Sequence, residues 1–284
     1  MECTFPYPLQ SNALTCSQPA GEFQINTDTL GDASPTVAAL NNGGFVVVWQ
    51  DDSSPSNIHG QMYDSTGAAV GAEFQINTDT LDDSGPTVAA LNNGGFVVVW
   101  FDYDGSVAHN IHGRRYDSAG TAAAAGEFQI NTDALGDWYP TVAALNDGGF
   151  VVVWYDGSAK IQGRRYDSAG TAAAAGEFQI NTDALGDWYP TVAALNDGGF
   201  VVVWYDGTAK IQGRRYDSAG TPAAAGEFQI NTDTLYDYSP TIAALNDGGF
   251  VVVWYDGGVG NIHGQKVKNC LLMGYSFIIP MGDK

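Results

Sequence analysis

Aromatic and acidic residues cluster in short segments that recur about every fifty residues along this chain. The flat faces of Tyr and Trp can stack on the C–H face of a sugar ring, and carboxylates can accept hydrogen bonds from its hydroxyls. Such residues are suited to recognising a glycan. The candidate ligand-binding residues are Asp137, Trp138, Tyr139, Asp156, Asp187, Trp188, Tyr189, Asp206, Asp237, Tyr238 and Asp256.

A structural interpretation of the same residues stays open. Trp138 and Trp188 could fill gaps between neighbouring structural units, and the Asp residues could cap turns. In the first two copies the corresponding segments, at 32–34 and 83–85, contain no aromatic residue, which favours a structural role there.

Five copies of one unit position these segments. The stretch Gly-Gly-Phe-Val-Val-Val-Trp begins at spacings of 94−43 = 51, 148−94 = 54, 198−148 = 50 and 248−198 = 50 residues. A period of this length is typical of propeller blades rather than of short solenoid coils. Residues 113–157 are identical to residues 163–207. The first Gly of the five copies is Gly43, Gly94, Gly148, Gly198 and Gly248.

Each copy predicts four short strands. In the third copy they span 140–145, 150–155, 160–167 and 177–182, and Asn-Asp-Gly-Gly between the first two indicates a tight hairpin. The second strand alternates Phe, Val and Trp on one face with Val on the other, so both faces need cover from neighbouring sheets. The first strand has small residues and is expected beside a central channel.

The fold class predicted is all-β, a five-bladed β-propeller of four-stranded antiparallel blades. Residues 22–27 form a lone fourth strand before the first full copy, and the last copy ends after its third strand at 261–268. We therefore expect the N-terminal strand to close the ring. The alternative, an open stack of sheets, would expose two apolar faces. The predicted domains are an N-terminal extension at 1–21, the propeller at 22–268 and a C-terminal tail at 269–284.

Charge limits the range of partners. The 284-residue chain has 32 acidic and 11 basic residues and a formal net charge of −21. Such a surface repels nucleic acid and anionic headgroups. No apolar run approaches the length that spans a membrane. We therefore expect neither nucleic-acid binding nor membrane insertion.

The cysteines bear on location. Cys3, Cys16 and Cys270 lie outside the repeats, which suits an exported protein. A bond between Cys16 and Cys270, a bond between Cys3 and Cys16, and three unpaired thiols all stay open. Residues 1–20 lack the features of a signal peptide, so the expected extracellular or cell-surface location needs a leader not visible in this chain.

Catalysis is not expected, and no catalytic residue is predicted. Glycosidases need two carboxyl groups with different roles. Near-perfect internal symmetry argues against one asymmetric active site, so a glycosidase is the least favoured function. Apart from Glu2, the Glu residues all occupy one repeated position: Glu22, Glu73, Glu127, Glu177 and Glu227.

No cofactor is predicted, and calcium is kept as an alternative. His59, His112 and His263 occupy one repeated position that carries Gln in the third and fourth copies, so a shared hydrogen bond explains them better than a metal. The segment 102–105, Asp-Tyr-Asp-Gly, has part of a calcium-loop pattern but lacks the remaining ligands. The repeated Arg-Arg pairs, as at 164–165, are expected to form ion pairs with the repeated Glu.

The repeats resemble known families over about residues 22–268. The stretches Glu-Phe-Gln-Ile-Asn-Thr, Pro-Thr-Val-Ala-Ala-Leu-Asn-Asp-Gly-Gly-Phe-Val-Val-Val-Trp and Gly-Arg-Arg-Tyr-Asp are similar to repeats of large secreted bacterial proteins of the adhesin and calcium-binding-toxin type. The architecture also resembles five-bladed lectins of the tachylectin family, which implies a sugar site in each repeat.

The functional expectation is a non-catalytic, multivalent carbohydrate-binding or adhesion module. Its partners would be glycans or cell-surface polysaccharide. The alternative is a structural or assembly repeat of a larger secreted surface protein, and the tail at 269–284 is a candidate for self-association.

Overall fold

The computed structural model describes residues 21–27, 29, 31–103, 109–133, 135–182, 186–232, 236–258 and 260–268. All regular elements in these ranges are β-strands. The strands are β1 (Asp32–Ala39), β2 (Phe45–Asp51), β3 (Ile58–Tyr63), β4 (Ala69–Gln75), β5 (Asp82–Ala90), β6 (Phe96–Tyr103), β7 (His109–Tyr116), β8 (Ala122–Gln129), β9 (Trp138–Ala144), β10 (Phe150–Tyr155), β11 (Ile161–Tyr166), β12 (Ala172–Gln179), β13 (Trp188–Ala194), β14 (Phe200–Tyr205), β15 (Ile211–Tyr216), β16 (Pro222–Gln229), β17 (Asp237–Ala244), β18 (Phe250–Asp256) and β19 (Asn261–Val267).

The strands form five antiparallel meanders, four of four strands and a last one of three. Strand order in each sheet follows the chain, and the first strands β1, β5, β9, β13 and β17 lie innermost, where consecutive ones contact each other. The predicted fold class, an all-β five-bladed propeller, is confirmed. In the described part of the chain no helix is present that could cross a membrane.

The core lies between blades. Val97 and Val99 on one face of β6 pack against Phe150, Val152 and Trp154 of β10, and all five side chains are fully buried. Equivalent clusters join the first to the second, the third to the fourth and the fourth to the fifth blade. Burial of each large apolar side chain contributes about 1.5–3 kcal/mol. The expectation that both faces of the second strand are covered is confirmed for the second, third and fourth blades.

The hairpin between the first two strands of a blade requires its glycines. Gly148 has a φ of 89°, in the left-handed region. A Cβ atom at Gly149 would overlap the carbonyl oxygen of Tyr166. The Asp147 carboxylate accepts a hydrogen bond from the Gly149 amide at 2.9 Å, which closes the turn.

The fourth strand starts earlier than predicted. The alanine run expected in a loop belongs to β12, which ends at Gln179 rather than at 182. The connecting turn is short, because the Asp167 carboxylate accepts the Ala169 and Thr171 amides. A bulge between Arg164 and Tyr166 adjusts the register of β11 against β12.

The predicted fourth strand of the last blade is not formed. Residues 22–27 make no strand pairing, and β19 pairs only with β18. In the other blades a short turn joins the third strand to the fourth, whereas residues 22–27 have no such link to β19. The amide and hydroxyl of Thr27 donate to Glu73 in the first blade, both at 2.9 Å, as those of Thr78 donate to Glu127 in the second blade.

The junction between the fifth and first blades is consequently less covered than the other four. Val37 of β1 is 64% exposed and Ile262 of β19 is 70% exposed. Val251 and Val253 of β18 are half-buried, whereas the equivalent Val201 and Val203 are fully buried. We call this less covered junction the seam. Cys3, Cys16, Cys270 and the tail lie outside the described residues.

The predicted arginine–glutamate ion pairs are replaced by bonds between blades. The first Arg of each pair donates at 2.6 Å to an Ile carbonyl of the preceding blade, and the bonds are Arg114 to Ile76, Arg164 to Ile130 and Arg214 to Ile180. The second Arg contacts the next blade, as Arg165 does through the Ser218 carbonyl at 3.0 Å. A guanidinium has several N–H donors, so it can donate to carbonyl groups at strand ends that have no hydrogen-bond partner in the sheet.

Arg164→Gln should lower the free energy of unfolding by about 1–2 kcal/mol, because it removes a charged hydrogen bond between blades. Gln stands at the equivalent positions 61 and 265, so the side chain is compatible with the strand. Urea denaturation measures the loss. Lys210→Gln, at an exposed loop residue, removes the same charge and serves as the control. Equal stability of the two variants would contradict the role of Arg164.

Candidate functional site

A pocket lies on the propeller axis, lined by the starts of all five innermost strands. Its volume is about 400 Å³. A Pro of each blade forms its wall, with a Thr following in four of them, and Phe101 lies at one side. No acidic or basic side chain lines it. The residues that precede the prolines are Ser34, Gly85, Tyr139, Tyr189 and Ser239.

The backbone at those five residues is left-handed. Ser34, Tyr139, Tyr189 and Ser239 have φ values of 51°, 55°, 53° and 53°, and Gly85 has 60°. Positive φ is uncommon for residues other than glycine and costs free energy. It accompanies a β-bulge at the same place in the inner strands, as between Trp188 and Thr191. The bulge brings one side chain per blade to the pocket.

Two tyrosines form the aromatic side of this pocket. Tyr139 and Tyr189 belong to neighbouring blades, and each is 38% exposed. Their ring centroids are 4.9 Å apart. Burial raises the pKa of Tyr139, and the adjacent Tyr189 raises it further. The hydroxyl of Tyr139 therefore keeps its proton at neutral pH. Both side chains line the pocket and are partly exposed.

The predicted Asp residues before the innermost strands are buried. Asp137, Asp187 and Asp237 have no exposed surface, and each accepts a hydrogen bond from the Asn six residues earlier. The side-chain oxygen of that Asn accepts a hydrogen bond from the backbone amide of an Ile near the start of the third strand, as Asn131 does from Ile111 at 3.0 Å. In the second blade Asp83 also accepts the Trp100 indole N–H at 2.7 Å. These carboxyl groups tie three strands together.

The three Asp residues after the second strands are also buried. Asp156 accepts the Ser158 amide and hydroxyl and the Lys160 amide, so it shapes the loop to the third strand. Asp206 does the same with Thr208 and Lys210, and Asp256 accepts the Gly258 amide. None of the six predicted Asp residues lines the axial pocket.

The remaining predicted aromatics lie away from the pocket lining. Trp138 packs against Phe101 and His109 of the preceding blade, with centroid distances of 5.2 and 3.7 Å. Trp188 stacks on Tyr155 at 4.3 Å, also across a blade junction. Tyr238 is 40% exposed and packs on Tyr255. Of the eleven predicted residues, the structure brings only Tyr139 and Tyr189 into the pocket.

Sequence reasoning missed the serines, prolines and threonines of the pocket. One signal was available, because the residue before the Pro is Ser, Gly, Tyr, Tyr and Ser in the five copies. A variable position that accepts Gly next to an invariant Pro indicates a special backbone conformation. The invariant Asn-x5-Asp spacing, present even in copies without aromatics, similarly indicated a structural Asp.

The repeated His is held between two carboxylates. His112 lies 3.3 Å from Asp102 and 2.7 Å from Glu127, and His59 is held in the same way by Asp51 and Glu73. Burial alone would lower the pKa of His112, but the hydrogen bond to Glu127 and the charge of Asp102 raise it overall. Among the described residues, no group of three or more His, Cys, Asp or Glu side chains is arranged so that it could hold a metal ion. Asp104 and Gly105 of the calcium-like segment lie outside the described residues.

Two buried carboxyl groups hold a proton at neutral pH. Burial raises the pKa of Asp83 and of Asp137 to about 8. The nearby charges of Asp79 and Asp133, respectively, add to this effect, while the hydrogen bonds from Trp100 and Asn131 oppose it. Both groups lie three residues before a pocket Pro.

Comparison with known proteins shows similarity of fold. No family model and no curated protein sequence matches this chain. A structure of NanB with Optactamide is 11% identical, covers 88% of this chain and 61% of its own, and has a TM-score of 0.58. The fucose-specific lectin from Aleuria aurantia is 12% identical, with coverages of 84% and 74% and a TM-score of 0.52. An endo-arabinase from Bacteroides thetaiotaomicron is 11% identical, with coverages of 88% and 94% and a TM-score of 0.51.

These neighbours contradict the function expected from the sequence. We interpreted the chain as a non-catalytic module, carbohydrate-binding, adhesive or structural, and as no enzyme. The endo-arabinase matches over nearly its whole length, so an enzyme shares this ring of blades. Internal symmetry was therefore no ground for excluding catalysis. The resemblance to bacterial adhesin and toxin repeats, the domain limits and the extracellular location remain predictions.

The free energy of unfolding should fall as the pH rises from the ordinary Asp pKa of 3.8 to the value of about 8 that Asp137 has in the folded protein. Between the ordinary Asp value of 3.8 and about 8, Asp137 is ionised in the unfolded chain but protonated in the folded one. The unfolded state then binds fewer protons, so each rise in pH favours unfolding. Asp137→Asn should show a shallower decline of the unfolding free energy between pH 5 and 8. Denaturation at several pH values measures it.

Glu22→Gln is the control, because it removes one exposed carboxylate outside the strands. It should follow the unsubstituted protein at every pH. If the Asp137→Asn profile is parallel to that of the unsubstituted protein, the buried proton does not exist.

Proposed function

We propose that this chain is a carbohydrate-active protein that holds a saccharide in its axial pocket. The observation that carries the proposal is the pair Tyr139 and Tyr189, held side by side on left-handed backbone at the pocket. Strained backbone that exposes an aromatic side chain is a feature of binding sites rather than of packing.

The chemistry of the pocket matches that of a sugar. A sugar ring has an apolar C–H face that can lie on the two tyrosine rings. Its hydroxyls can exchange hydrogen bonds with Ser34, Ser239 and the tyrosine hydroxyls, since each of these both donates and accepts. A volume of about 400 Å³ falls in the range of small-ligand pockets.

The similar structures support the choice of ligand class. One is named for arabinan cleavage as an endo-arabinase, and another as a fucose-specific lectin. Both names refer to carbohydrate. At this level of identity they support a class of ligand rather than one sugar.

The double variant Tyr139→Ser, Tyr189→Ser should bind saccharide at least about tenfold more weakly, because both stacking faces are removed. Ser occupies the same backbone position in the first and fifth blades, so the variant should keep its fold. A glycan array identifies ligands, and calorimetry then measures affinity.

The matched control is Tyr238→Ser. Tyr238 has similar exposure and lies in an equivalent loop, but it does not line the pocket. Its loss should leave affinity unchanged. Unchanged binding by the double variant, or a folded protein that binds no saccharide, would overturn the proposal.

Glycoside hydrolysis is a second candidate, favoured by the proton-holding carboxyls of Asp83 and Asp137. Hydrolysis needs a carboxylic acid that stays protonated near neutral pH to protonate the leaving oxygen. Both groups are fully buried behind the pocket wall, so the start of the inner strand would have to move to admit a glycosidic bond.

Release of reducing ends from arabinan and xylan tests this candidate. Asp137→Asn and Asp83→Asn keep the shape of the side chain without the proton, and hydrolysis should fall at least about a hundredfold in one of them. Saccharide binding should be retained. Binding without any hydrolysis by the unsubstituted protein would eliminate the second candidate and leave the first.

A further inference from the structure

The five blades differ mainly at one pocket position. Among the lining residues, Pro recurs in every blade and the Thr that follows it in four of them, while Phe101 is contributed by the second blade. The residue before the Pro is the one that varies. Its occupants in blade order are Ser34, Gly85, Tyr139, Tyr189 and Ser239.

The order of these residues divides the pocket into two sides. Tyr139 and Tyr189 come from the adjacent third and fourth blades, and Phe101 of the second blade continues the aromatic side. Ser239 and Ser34 come from the fifth and first blades, which are neighbours around the axis. The Phe101 ring fills the space at Gly85, since a Cβ atom there would lie 2.7 Å from it. One side therefore offers aromatic faces, and the other offers small hydroxyls.

No cationic side chain of the described residues lines this pocket. The guanidinium groups are held at other places: Arg114 donates to the Ile76 carbonyl at 2.6 Å, and Arg165 pairs with Asp147 at 3.0 Å. The chain as a whole has a net charge of −21. An anion entering the pocket would lose water and gain no counter-charge.

We infer that the axial pocket selects an uncharged saccharide and excludes uronic, sialic and sulfated sugars, and that the five residues before the prolines are its specificity determinants. The sugar lies with its C–H face on Tyr139 and Tyr189 and with hydroxyls toward Ser34 and Ser239. This inference rests on the proposed function and adds the class of ligand to it.

Pairs of sugars that differ only in charge test the inference. Neutral methyl glycosides of glucose and galactose, and arrayed oligosaccharides that contain them, are compared with the corresponding uronic acids by calorimetry on the full chain. The neutral member of a pair should bind at least about tenfold more tightly. The difference should shrink in 0.5 M salt, because long-range repulsion is then screened.

A charge added at one specificity position should invert the preference. Ser239→Lys places a cation at the pocket, so the acid should bind at least about tenfold more tightly than it does to the unsubstituted protein. Tyr238→Lys adds the same charge one residue away, outside the lining, and should change the preference less than twofold. Equal gains in the two variants would show that net charge, not the pocket position, decides.

The outcomes separate the inference from the function on which it rests. If acid binds as tightly as its neutral partner, and the double tyrosine variant abolishes that binding, the function stands and the inference is wrong. If neither member of any pair binds to the folded chain, the proposed function fails and the inference fails with it. Neutral selectivity that Ser239→Lys reverses supports both.

Discussion

The packing of one apolar sheet face against the next is the interaction on which this structure depends. The second strand of each blade has large apolar side chains on both faces, so a blade alone would leave both faces in water. Val151 and Val153 of the third blade are covered only because Phe200, Val202 and Trp204 of the fourth blade lie against them. Stability thus resides in the junctions, and the blades are interdependent.

The site follows from the same packing. Dense junctions bury an Asp near the start of the inner strand in the second to fifth blades, and a buried carboxyl group needs partners. Asn131 supplies one for Asp137 and at the same time holds the third strand of the second blade, which anchors the residue just before β9. Two residues later the chain bulges and places Tyr139 at the axis. The buried network therefore supports the pocket from behind, although it does not line it.

Much of the fold could be predicted from the sequence, and much less of the site. Identical repeats predict identical blades, and two-faced apolar strands require neighbours, so the architecture followed from few facts. The site residues were harder to predict, because the sequence Asp-Trp is the same whether the Asp faces a ligand or packs against an indole in the core. Burial separates Asp137 from Tyr139, two residues later, and burial depends on contacts between blades. The pairing of residues 22–27 with β19 was also mispredicted, because repeat phase does not reveal how far apart two chain ends lie.

The seam determines where local opening of this nearly symmetrical ring begins. Four junctions have buried apolar clusters, whereas Val37 and Ile262 at the seam remain largely in contact with water. The bond from the first Arg of a pair to the preceding blade is also absent at the seam, because position 61 of the first blade is Gln. Local opening begins where the fewest contacts must be broken. We therefore expect the amide hydrogens of β1 and β19 to exchange with solvent before those of the other strands.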